Sequence, residues 1–333
     1  MNDPSALVPP SIAGQLAGLG TALCWVGTSF CFAAAGRALG AGTVNLIRSF
    51  LALIPLLALN LLILGSPWPD ATPSAIAWLA ASGLVGLALG DQFLFGALVD
   101  LGPRLAVLLM TLAPVFAALL GWLMLGEVLG GLALLGMATT LAGIAWVVSE
   151  RTPEGSGPVR SKAVRTRGLI LGVLAAAAQG FGVVLAKEGM VGGDIEPLAA
   201  QLVRMTAGAS VLGLAWIAIG PRSWLVGSRR EDGPPRLGRP AVLGILGGTI
   251  LGPVVGVWLS LIAVRRLDAG VASTLMAMSP VLVLPFSRLL DRERLGWRAI
   301  LGAAVAVAGV AILALAEGSD ATVAAEVGGL DVP

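Results

Sequence analysis

The sequence predicts an all-α polytopic membrane protein, with ten transmembrane helices arranged as two inverted five-helix repeats. Three observations carry that prediction: a charge-poor apolar composition, ten apolar runs of spanning length, and a match of the chain to itself. Of 333 residues, 57% are hydrophobic and 12% charged, where soluble domains run to about 45–50% and about 25%. Glycine, at 46 residues, is high, as in helices that pack closely within a bilayer.

The apolar runs fall at residues 12–35, 42–64, 75–98, 104–125, 129–149, 168–188, 197–219, 241–263, 269–289 and 297–316. Each is long enough to cross a hydrocarbon core of about 30 Å. The opening "MNDPSALVPPS" has no Lys or Arg. It lacks the basic start of a cleaved signal peptide, so the first span is expected to stay in the mature chain. A net charge of +2 gives no reason to expect a nucleic-acid partner. Cys24 and Cys31 lie on one helix, about 10 Å apart along its axis, too far for a disulfide. With no His and no ligand-spaced Cys pair, neither a metal site nor a cofactor is expected.

The self-match organises the chain. "APVFAALLGWLMLGEVL" (Ala113 to Leu129) aligns with "SPVLVLPFSRLLDRERL" (Ser279 to Leu295) at a shift of 166 residues. At that shift Pro114 meets Pro280, Glu127 meets Glu293, Gly136 meets Gly302, and Gly143 meets Gly309. Gly86 and Gly90 fall on Gly252 and Gly256. Earlier in each half, Gly14 and Gly18 meet Gly168 and Gly172, and Arg48 meets Arg204. The predicted units are a first repeat at 12–149, a basic linker at 150–167, a second repeat at 168–316 and an acidic disordered tail at 317–333. An odd number of spans per unit forces the second copy to enter from the opposite side, the inverted-repeat design of secondary transporters. The recurring glycines read as close helix contacts.

Charge sets the expected orientation. Loops after the odd-numbered spans hold 16 of the 21 basic residues, while the even loops and termini hold three, Lys187, Arg265 and Arg266. The excess of Lys and Arg on the odd loops places those loops in the cytoplasm and both termini outside.

Each half resembles an EamA domain of the drug/metabolite transporter superfamily. The resemblance rests on "LCWVGTSF" (Leu23 to Phe30), "NLIRSFLAL" (Asn45 to Leu53), the run into "APVFAALLGWLMLGEVL", and "LLGMATTLAGIAWV" (Leu134 to Val147) with its copy "ILGAAVAVAGVAIL" (Ile300 to Leu313). It implies a ten-helix carrier in a bacterial inner membrane that moves small metabolites, often outward, through a central cavity. Such relatives are usually drawn with cytoplasmic termini, opposite to the charge bias here. The second copy has Gln179 where the first has Trp25, and Arg292 where the first has Gly126 before the motif glutamate.

Ionisable residues inside spans are costly and face a cavity or a partner. Arg48 lies about 10 Å into span two from the odd-loop face at helical rise. Asp91 lies at the same depth in span three, so the two are expected to be able to meet. Arg204 occupies the matching depth from the other face, but Asp91 has no copy: its counterpart is Val257. Asp91 is a candidate site for a substrate amine or a coupling proton, or else a tether to Arg48. Arg48 and Arg204 are candidates for a carboxylate substrate, or else fold-borne cations that snorkel or bind carbonyls. Gln92 is expected to reach a neighbouring helix. Trp25, Gln179, Asn45 and Gln201 supply candidate cavity groups, and helix–helix hydrogen bonds explain such residues equally well. Glu127 and Glu293, with Pro114 and Pro280, are read as structural; each glutamate is expected to cap the helix that follows it.

The function this predicts is a secondary transporter working by alternating access, moving a small molecule across the lipid bilayer with a proton as candidate coupling ion. No "GxxxxGK[ST]" loop occurs, so ATP is not the expected energy source. A passive facilitator is the alternative, and a homodimer is open. An intramembrane lipid-modifying enzyme would need a catalytic constellation, which one deep carboxylate without His does not make. A non-transporting scaffold has no need of intramembrane charge.

Overall fold

The computed structural model describes residues 9–39, 41–101, 106, 109–149, 162–219, 238–279, 281–282 and 297–328. Pro280, Glu293 and residues 150–161 of the expected linker lie outside them. The described residues are mostly helical, with short non-helical segments such as 65–72 and 126–130 and no strand among them. In chain order the helices are α1 (Pro10–Leu39), α2 (Ala41–Leu59), α3 (Pro73–Ser82), α4 (Asp91–Leu101), α5 (Ala113–Leu125) and α6 (Gly131–Ser149). They continue as α7 (Lys162–Gly193), α8 (Pro197–Ile219), α9 (Arg239–Thr249), α10 (Val257–Arg266), α11 (Ala269–Met276) and α12 (Trp297–Gly328). A π-helical stretch, Gly83–Gly90, joins α3 to α4, and another, Ile250–Gly256, joins α9 to α10.

Among the described residues, six helices are long and apolar enough to cross a membrane. They are Pro10–Phe32, Gly42–Leu64, Pro73–Leu94, Lys162–Gly193, Pro197–Ala218 and Arg239–Arg266. Ala113–Leu125, Gly131–Trp146 and Ile300–Leu313 are shorter apolar helices. The run expected at 104–125 is interrupted at Thr111–Leu112, just ahead of Pro114, whose missing N–H cannot extend a helix backwards.

Two expectations are corrected. The linker's last residues, Lys162–Arg167, already belong to α7. The tail is not disordered from residue 317: α12 runs on to Gly328. Its "ATVAAE" is alanine-rich and free of Pro, and alanine is the strongest helix former.

Packing is inverted relative to a soluble protein. Ala22, Ala35, Ala52, Ala175, Ala176 and Ala186 are wholly buried, while Leu62, Ile217 and Leu315 face outward. Lipid tails are as apolar as Leu, so small residues that let backbones approach hold the inside. The contacts are mostly between halves. Helix α1 packs along α9, α10 and α11, and α7 packs along α3, α4 and α5. Helix α2 meets α8, α5 meets α11, and α6 meets α12. Under the alignment of the two halves, the α1–α9 and α1–α10 contacts are matched by α7–α3 and α7–α4, and α2–α8 and α6–α12 map onto themselves. Leu79, Met190, Leu261, Leu275 and Leu313 share one buried cluster that draws on both halves.

Candidate functional site

Of three π-helical stretches among the described residues, the third being Asn60–Leu64, Gly83–Gly90 and Ile250–Gly256 occupy the same place in the two copies, since Gly90 aligns with Gly256. A π turn takes carbonyls out of the regular helical ladder, and such turns mark functional sites often. Side-chain amides meet those carbonyls here. Gln179 Nε2 donates to the Gly86 carbonyl at 3.3 Å, and Gln201 Nε2 donates to the Pro253 carbonyl at 2.8 Å. Asp91 and Val257 are the first residues beyond the two stretches.

A second pair of irregularities faces these. The chain turns at Thr111–Leu112 before α5, where Leu112 N bonds to the Leu109 carbonyl at 3.0 Å. It turns again at Ala277–Met278 after α11, where Met278 N bonds to the Leu275 carbonyl at 3.2 Å. Thr111 aligns with Ala277 at the repeat shift, so both copies break at one point.

A cavity of about 370 Å³ opens where breaks and π stretches converge. Thr111, Pro114, Met276 and Ala277 line it from the breaks, and Gly252 and Pro253 from the second π stretch. Ligand sites for small molecules commonly enclose about 300–1,000 Å³. Its charged wall is an ion pair. Arg48 Nη2 donates to Asp91 Oδ2. Arg48 Nε donates to Asn45 Oδ1 at 2.9 Å, and the guanidinium stands 5.4 Å from the Phe32 ring centroid. Gln179 Nε2 donates to Asp91 Oδ1 at 3.2 Å. Both carboxylate oxygens are therefore occupied, by helices from opposite halves.

The sequence candidates divide cleanly. Trp25, Arg48, Asp91 and Gln179 line the cavity, and so does Pro114, which the sequence places as structural. Asn45 is wholly buried and acts through Arg48. Gln201 is wholly buried and acts on the π stretch. Arg204 is 5% exposed, and its Nε has no hydrogen-bond partner. A Cβ placed on Gly86 would lie 3.6 Å from Arg204 Nη2, so the cation sits behind that glycine. Gln92 Nε2 is buried without the partner expected for it.

Residues 12–149 and 166–315 each match the model of the EamA-like transporter family, which together is most of the chain. The chain belongs to the EamA-like transporter family. No curated protein matches it. One solved crystal structure of a protein superposes on this EamA chain with a TM-score of 0.69 at 20% identity, covering 91% of this chain and 96% of that one. That likeness is one of fold. Membership, together with the apolar helices, makes this a multi-pass membrane protein of a transporter family.

Two charged contacts of this EamA chain escape the sequence reading. Glu127 does not cap the helix after it. Its Oε2 accepts from Ala269 N at 2.9 Å, at the start of α11 in the other half. Lys187 Nζ joins Glu127 Oε1 at 2.5 Å and the Leu267 carbonyl at 2.6 Å. Gly126, at φ 68°, makes the left-handed turn that ends α5 just before Glu127. Asp100, 3% exposed, holds Arg167 in a two-pronged contact, with both N–O distances 2.7 Å. Asp91 is thus not the only buried acid. Substituting Glu127→Gln keeps an acceptor for Ala269 N but removes the charge-assisted part of the contact, and should cost about 1.5–3 kcal/mol. Thermal unfolding of the purified protein in detergent checks this.

Proposed function

We propose that the protein is a secondary transporter that moves a small metabolite outward across a bacterial inner membrane by alternating access. In this reading ten spans form two inverted five-helix repeats, and the repeats rock about the cavity. The observation that carries it is the cavity itself, lined at matching points by the helix breaks and bounded by an ion pair inside the spans. Interrupted helices meeting near the bilayer middle are where such carriers bind substrate. Comparing metabolites inside and outside cells, with and without expression, tests the proposal. Export predicts at least one small metabolite enriched outside expressing cells, and identical profiles would sink it.

Asp91 is proposed as the proton-coupling site. In proteoliposomes, Asp91→Asn should abolish substrate accumulation driven by a pH gradient while leaving downhill exchange. Unchanged accumulation would show that Asp91 is not the proton site, whereas no pH-driven accumulation by the parent protein would favour a facilitator, a reading supported by the closed Arg48–Asp91 contact.

The proposed orientation keeps odd loops in the cytoplasm and both termini outside. Support comes from the scarcity of cations in the even loops, three in all, of which two are held in ion pairs. Lys187 pairs with Glu127, and Arg265 with Asp194 at 2.8 Å and Glu196 at 3.0 Å. A C-terminal reporter active only in the cytoplasm should be silent, and an active fusion reverses the assignment.

A further inference from the structure

We infer that the cavity takes a small, largely apolar organic monoanion, whose carboxylate binds Arg48 in the place now filled by Asp91. The inference rests on the transporter reading and names its substrate class.

Charge is the first argument. Arg48 and Asp91 line the cavity, and Arg204 stands behind Gly86, close enough for its charge to act on Asp91. Two guanidiniums therefore share one carboxylate. Arg204 makes no ion pair among the described residues, and its buried Nε bonds to nothing. A buried cation without a counter-charge is expensive to keep. Its repeat-mate Arg48 has an acid; the position where the second copy would carry one is Val257, on the cavity wall. Among the described residues, the two arginines beside the cavity are one negative charge short.

The rest of the wall narrows the ligand. An amine would have to displace Arg48 Nη2 and Gln179 Nε2 from Asp91 and then sit beside two guanidiniums. A sugar-like ligand would find three of the five lining hydroxyls already donating elsewhere. Thr28 Oγ1 already donates to the Cys24 carbonyl at 2.8 Å, Ser49 Oγ to the Asn45 carbonyl at 2.8 Å, and Ser279 Oγ to the Ala22 carbonyl at 3.1 Å. Leu87, Leu94, Met110, Val183, Met205 and Met276 make much of the remaining surface apolar. Among the described lining residues there is no second carboxylate to hold the ammonium of a zwitterion.

The test uses the full chain in detergent and four probes with one apolar body: 3-phenylpropionate, 3-phenylpropanamide, 3-phenylpropylamine and phenylalanine. Equilibrium binding should favour the acid over the other three by about tenfold or more, a single ionic contact's scale. Asp91→Asn should tighten the acid by a similar factor, because the built-in competitor for Arg48 is gone. Val257→Asp should abolish acid binding and Val257→Asn should retain it, a pair that leaves every arginine in place. Preference for the amine or the zwitterion, weaker acid binding by Asp91→Asn, or no binding of the acid each overturns the inference. If the acid fails while expressing cells still export some other metabolite, the transporter reading stands and this one falls.

Discussion

Replacing Asp91 with alanine should destabilise the protein by about 3–5 kcal/mol, the cost of stranding one member of a buried ion pair. An Asp91→Ala/Arg48→Leu double variant should recover most of that loss. The reason lies in what each change leaves behind. In the single variant Arg48 keeps Asn45 Oδ1 and the face of Phe32, but its Nη2 faces a cavity with no carboxylate. In the double variant the charge is gone and a leucine fills part of its volume. Gln179 loses one acceptor in both variants but keeps the Gly86 carbonyl. Unfolding midpoints in detergent, followed by a conformation-sensitive probe, measure the difference. A double variant no more stable than the single would show that the penalty lies elsewhere. If the cavity is the transport path, the recovered double variant should still be inactive, separating stability from function.

The meeting of Arg48 and Asp91 was legible because both positions could be counted from one membrane face at a known rise per residue. The repeat alignment was legible for the same kind of reason, since recurring glycines and prolines mark backbone geometry rather than composition. What the sequence concealed depends on contacts between halves. Glu127 was assigned to the wrong helix because capping logic looks to the next element along the chain, whereas the amide it meets is 142 residues away. Asp100 escaped notice at the end of a span because its partner Arg167 is 67 residues distant and belongs to the start of α7, not to a loop. The π-helical stretches left no separate trace, because "GLVGLALG" reads equally as close packing. Gln179 shows the limit best. Its departure from Trp25 in the first copy was visible, but only the fold puts its amide on both Gly86 and Asp91.

Gly143→Ala and Gly309→Ala should each impair folding far more than their single added methyl suggests, and by similar amounts. The two glycines occupy equivalent positions on α6 and α12, which lie against each other. A Cβ on Gly143 would sit 2.4 Å from Ala306 N and 2.7 Å from the Gly302 carbonyl oxygen. A Cβ on Gly309 would sit 2.4 Å from Thr140 N and 2.8 Å from the Gly136 carbonyl oxygen. Those neighbours are backbone atoms inside helices, so no rotamer change can make room; the helices must part. Overpacking a core costs about 1–3 kcal/mol where side chains can adjust, and separating the helices also forfeits the dispersion along the whole contact. The control is Gly131→Ala at the start of α6, where an added Cβ meets nothing within 4 Å. That change should be neutral or slightly stabilising, because alanine is the better helix former. The fraction of membrane-extracted protein that elutes as a single species, with its unfolding midpoint, reads all three variants. Near-parental behaviour of Gly143→Ala and Gly309→Ala would mean that the α6–α12 contact is looser than these distances require.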